Sequence, residues 1–90
     1  MAYPEKHIDS LDGITQADIT YIRPNGKYIR ITSKPAGYFG IGETSCFTIN
    51  RPGFLFDFET QGNSVRTWKT LSGAIRFIKK NYTLQRLQND

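Results

Sequence analysis

The sequence contains few of the side chains that most enzymes use for catalysis. Among its 90 residues are one cysteine, one histidine, one methionine and one tryptophan. With Cys46 as the single cysteine, an internal disulfide is excluded, and this pattern is typical of proteins in a reducing compartment. We therefore expect a cytoplasmic protein and exclude the small secreted domains that depend on disulfides.

Long apolar runs are also missing. No stretch approaches the roughly 20 apolar residues that span a bilayer, and residues 1–18 lack the apolar core of a signal peptide. The length suits one hydrophobic core, to which six Phe, five Tyr and one Trp contribute large buriable surfaces. We predict one small domain with no membrane partner.

Acidic residues are scarce after the first segment. Residues 1–18 carry one Lys against four acids, a net charge of −3, whereas residues 19–90 carry eleven Lys or Arg against four acids, a net charge of +7. Between Thr60 and Asn89 there are six cations and no acid. An uneven distribution of charge along the chain gives information about binding partners more than about fold. Here it predicts an anionic partner.

The first 18 residues show no sustained hydrophobic period. Pro4, Gly13 and scattered acids interrupt the segment, and only Asp9 to Leu11 suggests a helical turn. We therefore predict a loosely ordered acidic lead-in at 1–18, followed by a single α+β domain at 19–90.

The stretch ITYIRPNGKYIRIT, residues 19–32, predicts a β-hairpin. Pro24 has no N–H to close a two-residue loop, so we predict a type I turn with Pro24 in its second position and Gly26 at positive φ. The resulting pairs are Tyr21 with Ile29 and Ile19 with Ile31 on the core face, and Ile22 with Tyr28 and Thr20 with Arg30 on the other. That second face could be covered, or it could form a binding platform.

The rest of the chain predicts further strands and one helix. Strands are expected around 38–41, 46–49, 54–59 and 64–68, with a type II turn between the second and third that gives Gly53 a positive φ. In the third of these, Phe54, Phe56 and Phe58 alternate with polar residues and would share one buried face.

From Thr70 the hydrophobic period changes to that of an amphipathic helix, which we expect to be capped by Thr70 or Ser72 and to break after Tyr82. The predicted fold is an antiparallel sheet of four or five short strands with one C-terminal amphipathic helix packed on one face.

No pattern supports catalysis or metal binding. His7 has no neighbouring nucleophile, Cys46 lies in a strand-like run, and Asp57 and Glu59 fit the solvated face of a strand. The glycine-rich run 37–42 is not followed by the Lys-Ser/Thr pair and helix of a phosphate-binding loop. We predict no enzymatic activity, no cofactor and no metal.

The basic residues give the strongest functional signal. Clustered cations with aromatic groups between them are what nucleic-acid binding requires, although charged helix faces are often only solvated. The candidate nucleic-acid-binding residues are Arg23, Lys27, Tyr28, Arg30, Arg66, Lys69, Arg76, Lys79 and Lys80.

A second hypothesis is a protein-binding regulator, an inhibitor of a larger enzyme or a mobile-element accessory protein. It would use an exposed strand edge or an aromatic patch formed by Tyr38, Phe39 and Phe47. An acidic protein would be a suitable partner, so the positive charge fits both hypotheses.

Overall fold

The computed structural model of the protein describes residues 4–37, 45–54 and 56–82. Its elements are β1 (Glu5–His7), a 3-10 turn (Leu11–Gly13), β2 (Thr20–Ile22), β3 (Tyr28–Lys34), β4 (Cys46–Asn50), β5 (Thr60–Gln61), β6 (Ser64–Val65) and the helix α1 (Leu71–Asn81). The predicted α+β class and C-terminal helix are confirmed. None of the helices in these residues is both long and apolar enough to cross a membrane.

The sheet is mixed, so the prediction of a purely antiparallel sheet is wrong. Four strands lie in the order β1-β2-β3-β4, and β5 pairs with β6 in a separate two-stranded sheet. The strands β2, β3 and β4 are antiparallel neighbours, whereas β1 runs parallel to β2. A parallel neighbour is possible because the segment 8–19 is long enough to return the chain to the same end of the sheet.

The first hairpin forms in the predicted register, from Thr20 opposite Arg30 to Ile22 opposite Tyr28. The Gly26 N–H donates to the Arg23 carbonyl at 2.8 Å, and Gly26 has a φ of 83°. The register ends earlier than expected, because the Asp18 N–H donates to the Ile31 carbonyl at 2.7 Å. β2 therefore begins at Thr20, after Asp18 has adopted a φ of 64°.

The composition of residues 1–18 predicted a loosely ordered lead-in. In the structure, residues 4–18 supply one strand and part of the core. Ile8, Leu11 and Ile14 are buried in the main hydrophobic cluster. The segment is also bonded to the sheet, since the Thr15 and Gln16 N–H groups both donate to the Tyr21 hydroxyl. Leu11 lies in the 3-10 turn and Ile8 and Ile14 lie on either side of it, so their spacing of three residues matches the period of neither an α-helix nor a strand.

The helix α1 covers one face of the sheet. Thr70 caps its start by accepting a hydrogen bond from the Gly73 N–H at 3.1 Å. Ala74, Ile78 and Tyr82 are buried against the sheet residues Tyr21, Ile29, Ile31 and Ile49. The predicted cap, apolar face and end of the helix all agree with the structure.

The strand predicted at 54–59 is wrong for most of its length. The type II turn before it is present, with a φ of 87° at Gly53 and a 3.0 Å hydrogen bond from the Phe54 N–H to the Arg51 carbonyl. Beyond this turn Phe54 and Phe56 are exposed, and Phe58 makes an isolated bridge with Asn50. Around this bridge Asp57 and Glu59 pair with β4, since the Arg51 N–H donates to the Asp57 carbonyl and the Glu59 N–H donates to the Ile49 carbonyl, each at 2.9 Å, and the chain loops between Arg51 and Asp57.

Two other predicted strands have different outcomes. Of the stretch 64–68, Ser64–Val65 forms β6 and Trp68 bridges Phe47 at the outer edge of β4. The strand predicted at 38–41 lies outside the described residues.

Candidate nucleic-acid interface

The predicted basic residues lie on two sides of the sheet. Along β3, Ile29 and Ile31 face α1, so the alternation of a strand places Arg30 on the opposite face. Arg76 and Lys80 are exposed on α1, away from the side that packs on the sheet. The helix and the sheet core therefore separate Arg30 from the cations of the helix.

Two of the cations on the same side of the sheet as α1 contact other side chains. The Lys79 ammonium lies 3.2 Å from the Asp12 carboxylate and links α1 to the 3-10 turn. The Arg66 guanidinium lies over Phe77 at 4.8 Å and over Trp68 at 5.4 Å. Arg66 thus covers aromatic side chains that pack on the core, while Lys69 is exposed just before the helix.

On the sheet face opposite α1, the middle of the sheet is a buried polar layer. Arg30 Nε donates to Thr32 Oγ1 at 3.4 Å, and Thr32 Oγ1 donates to Asn50 Oδ1 at 3.3 Å. Thr32, Thr48 and Asn50 are all buried. The middle of this face is therefore not the open platform that we considered, and exposed groups must be sought at its ends.

At the tip of the first hairpin, the loop that follows β4 packs beside Lys27 and Tyr28. The Gly53 N–H donates to the Tyr28 carbonyl at 2.9 Å, which extends the pairing between β3 and β4 beyond the last strand residue. A side chain at Gly53 would lie 3.9 Å from Lys27 Cγ, so the two chain segments are in contact. Arg23 joins this region through its N–H, which donates to the Lys27 carbonyl at 3.0 Å.

Two phenylalanines project from this loop into solvent. Phe54 is 57% exposed and Phe56 is 91% exposed, which is unusual for side chains of this size. With Tyr28, Gly53 and Asp57 they line one shallow depression, and Phe54 also lines a second with Lys27, Arg51 and Tyr82. We call Lys27, Tyr28, Arg51, Phe54 and Phe56 the hairpin-tip surface.

Arg51 holds the loop of this surface in place. Its guanidinium forms an ion pair with Asp57 and lies 5.6 Å from the centre of the Phe54 ring. The two residues are also joined through the backbone, as described above for the Arg51 N–H. The aromatic rings are therefore carried by a loop whose two ends are bonded together.

Sequence reasoning placed Lys27 and Tyr28 in the candidate site but missed Arg51, Phe54 and Phe56. Phenylalanines at alternate positions are typical of a half-buried strand, and the same spacing occurs here in a loop. No local feature separates the two cases, because the loop is closed by contacts between Arg51 and Asp57 that the pattern does not encode.

Two surfaces were considered for a protein partner, an aromatic patch and an exposed strand edge. Phe47 is half-buried against the core, and its backbone exchanges hydrogen bonds of 2.8 and 2.9 Å with Trp68. Tyr38 and Phe39 lie outside the described residues. The strand β1 is at the edge of the sheet, and its three residues are exposed.

The residues considered for catalysis do not form a cluster in the described part of the chain. Cys46 is buried, Asp57 is paired with Arg51, and His7 is exposed on β1. The solvated position predicted for Glu59 is wrong, because its side chain is buried. Residues 4–37, 45–54 and 56–82 contain no group of three or more side chains suited to hold a metal ion. Comparisons with protein families, characterised proteins and solved structures gave no match.

Proposed function

We propose that this protein is a non-catalytic nucleic-acid-binding module, and that the hairpin-tip surface is its main contact. The observation that carries the proposal is the exposure of Phe54 and Phe56 beside the cations Lys27 and Arg51. Cations bind phosphate by displacing condensed counterions, and exposed rings stack on bases. The hairpin-tip surface offers both kinds of group within one small area.

The net charge supports the same proposal. The full chain carries a net charge of +4, so a polyanion is attracted to the molecule before any specific contact forms. Arg76 and Lys80, which are exposed on α1, contribute to this long-range attraction. We assign them a lesser role in contact, because they are exposed on the face of α1 that points away from the sheet, whereas the hairpin-tip surface meets the C-terminal end of the helix at Tyr82.

The test is a binding titration with duplex DNA, single-stranded DNA and RNA at low and at physiological salt. We expect the binding of at least one of these to weaken steeply as salt is raised. Binding that does not change with salt, or no binding at low salt, would refute the proposal.

A matched pair of charge reversals locates the contact. Lys27→Glu should weaken binding and lower the slope of log affinity against log salt by about 1, since one phosphate contact is lost. Lys80→Glu makes the same change of charge on the exposed face of α1 and should have a smaller effect on both. Equal effects of the two variants would show that the positive charge acts only in bulk. Lys79 is unsuitable for this comparison because it is paired with Asp12.

A second candidate function is the binding of a protein partner. The exposed edge strand β1 favours it, because its free backbone groups could pair with a strand of another chain. A partner that co-purifies in stoichiometric amount after nuclease treatment, and is lost when His7 is replaced by Pro in β1, would favour this function, because the backbone groups of Lys6 pair with β2 and those of His7 face the open edge. The proline removes a backbone donor and disturbs the strand.

A further inference from the structure

We propose that the hairpin-tip surface binds the unpaired bases of a single-stranded nucleic acid, with the rings of Phe54 and Phe56 as stacking platforms. This inference rests on the proposed function and names its substrate class. Stacking of this kind predicts a preference for single strands, whose base faces are open, over duplexes, whose base faces are already stacked on each other.

The exposure of the two rings is the first observation that supports this choice. Most large apolar residues of the described chain pack on the core, including the partly buried Phe47 and Phe77. Phe56, at 91% exposed, keeps nearly all of its apolar surface in water, which contributes nothing to folding. A ring in this position can lie against the flat face of a base, where its apolar surface is removed from water.

The second observation is that both ends of the loop are bonded to the rest of the molecule. Gly53 is bonded to Tyr28 in β3, and Arg51 is bonded to Asp57 through both backbone and side chain. Ordering a loop on binding costs free energy, so a loop that is already fixed loses less. The rings are therefore presented from a bonded framework and not from a free segment.

The third observation is the charge beside the rings. Lys27 and Arg51 line the depression next to Phe54, and Arg51 is paired with Asp57 of the neighbouring depression, so the three side chains together carry a net charge of +1. A base stacked on Phe54 would place its phosphate within reach of these cations. This charge distribution favours a polyanion with flat apolar groups over an apolar or cationic partner.

The position of the other cations argues against a duplex as the preferred ligand. A duplex contacts proteins mainly through its phosphates and groove edges, and it would be bound best by cations spread over one continuous face. Here Arg30 and the exposed helix cations Arg76 and Lys80 lie on opposite sides of the sheet, so these cations do not form one continuous face. A single strand can be bound by a short, narrow surface, and the hairpin-tip surface is of this kind.

The test uses labelled oligothymidine, oligouridine and a mixed-sequence duplex of the same length, each titrated with the full chain and three variants at position 56. Phe56→Ala removes the ring, Phe56→Leu keeps an apolar group without a ring, and Phe56→Trp enlarges the ring. We expect Phe56→Ala to weaken single-strand binding by roughly 5-fold to 150-fold, the range for loss of one stacked base. Phe56→Leu should weaken it to a similar extent, and Phe56→Trp should preserve it.

Duplex binding should be weaker than single-strand binding and unchanged in all three variants. Since Phe56 is 91% exposed, the variants should unfold at the same urea concentration as the wild type, so a loss of binding is not a loss of fold. A Phe56→Ala protein that binds single strands as the wild type does, or a Phe56→Leu protein that retains affinity, would overturn the inference.

The outcomes also separate this inference from the proposed function. Salt-dependent binding of duplex and single strands with equal affinity, unaffected at position 56, leaves the proposed function standing and removes the stacking platform. No binding of any of the three probes at low salt removes both. In that case the exposed rings would be better explained by a protein partner, for which large exposed aromatic residues are common anchors.

Discussion

At the scale of single residues, Tyr21 links the sheet to the segment that precedes it. Its side chain is fully buried, and its hydroxyl accepts hydrogen bonds from the Thr15 and Gln16 N–H groups while donating to the Gln16 carbonyl. We expect Tyr21→Phe to lower the free energy of unfolding by about 1–3 kcal/mol, because three backbone groups lose their partner. Urea unfolding measures the change.

The control for this prediction is Tyr28→Phe, which also removes one hydroxyl from a strand of the same sheet. Tyr28 is half-buried, and we expect its replacement to change the free energy of unfolding by less than about 0.5 kcal/mol. If both variants unfold at the urea concentration of the wild type, the hydroxyl of Tyr21 does not hold segment 15–16 on the sheet.

At the scale of elements, the turn at Arg51 to Phe54 sets the position of the aromatic loop. Gly53 has a φ of 87°, where a Cβ is strained, although that Cβ would meet Lys27 Cγ only at an ordinary contact distance of 3.9 Å. We expect Gly53→Ala to cost about 1–2 kcal/mol of stability and also to weaken nucleic-acid binding, because the loop must shift to relieve the strain. Urea unfolding and a binding titration measure the two effects.

Gly62→Ala is the matched control. Gly62 also has a positive φ, 63°, with open space around it, but it lies in the turn between β5 and β6. Both substitutions should lower stability by a similar amount, and only Gly53→Ala should change binding. A loss of binding in both variants would indicate that stability, and not the position of the loop, governs affinity.

At the scale of the whole molecule, residues 4–18 belong to the same core as the sheet and helix. Ile14 is 2% exposed in the main cluster. We expect Ile14→Ala to cost about 2–5 kcal/mol and Ile14→Val about 0.5–1.5 kcal/mol in urea unfolding, since each leaves a cavity of different size. Wild-type stability in the Ile14→Ala variant would show that the segment is only loosely attached.

The involvement of residues 4–18 in the core also changes how an effect of their acids on binding must be tested. One hypothesis is that this segment, with its net charge of −3, competes with an anionic ligand for the basic surface. Deleting residues 1–15 would remove Ile8, Leu11 and Ile14 from the core, so lost binding would not be informative. Replacing the exposed Asp9 with Asn changes the charge alone. Unchanged affinity in that variant would argue against competition from this acid.

Some features of the fold were predictable because neighbouring residues determine them. The register of the first hairpin follows from the missing N–H of Pro24 and the positive φ that Gly26 tolerates. The cap at Thr70 and the apolar face of α1 follow from the period of the helix. Each of these features depends on contacts within a few positions along the chain.

Other features were not predictable because they depend on contacts between distant residues. The parallel pairing of β1 with β2 joins segments that show no common pattern. Ile8, Leu11 and Ile14 are core residues because the sheet and helix cover them and not because of their spacing. Phe54 and Phe56 have the spacing of a buried strand, but the loop closed by Arg51 and Asp57 leaves them exposed.

The sequence by itself therefore determined the α+β class, the first hairpin, the helix and the excess of positive charge, since short-range geometry and composition encode them. Only the tertiary structure decided which aromatic side chains face solvent and which cations share a surface. The physical reason is that exposure depends on what the rest of the chain packs against a residue, and a local pattern records only the residue and its near neighbours.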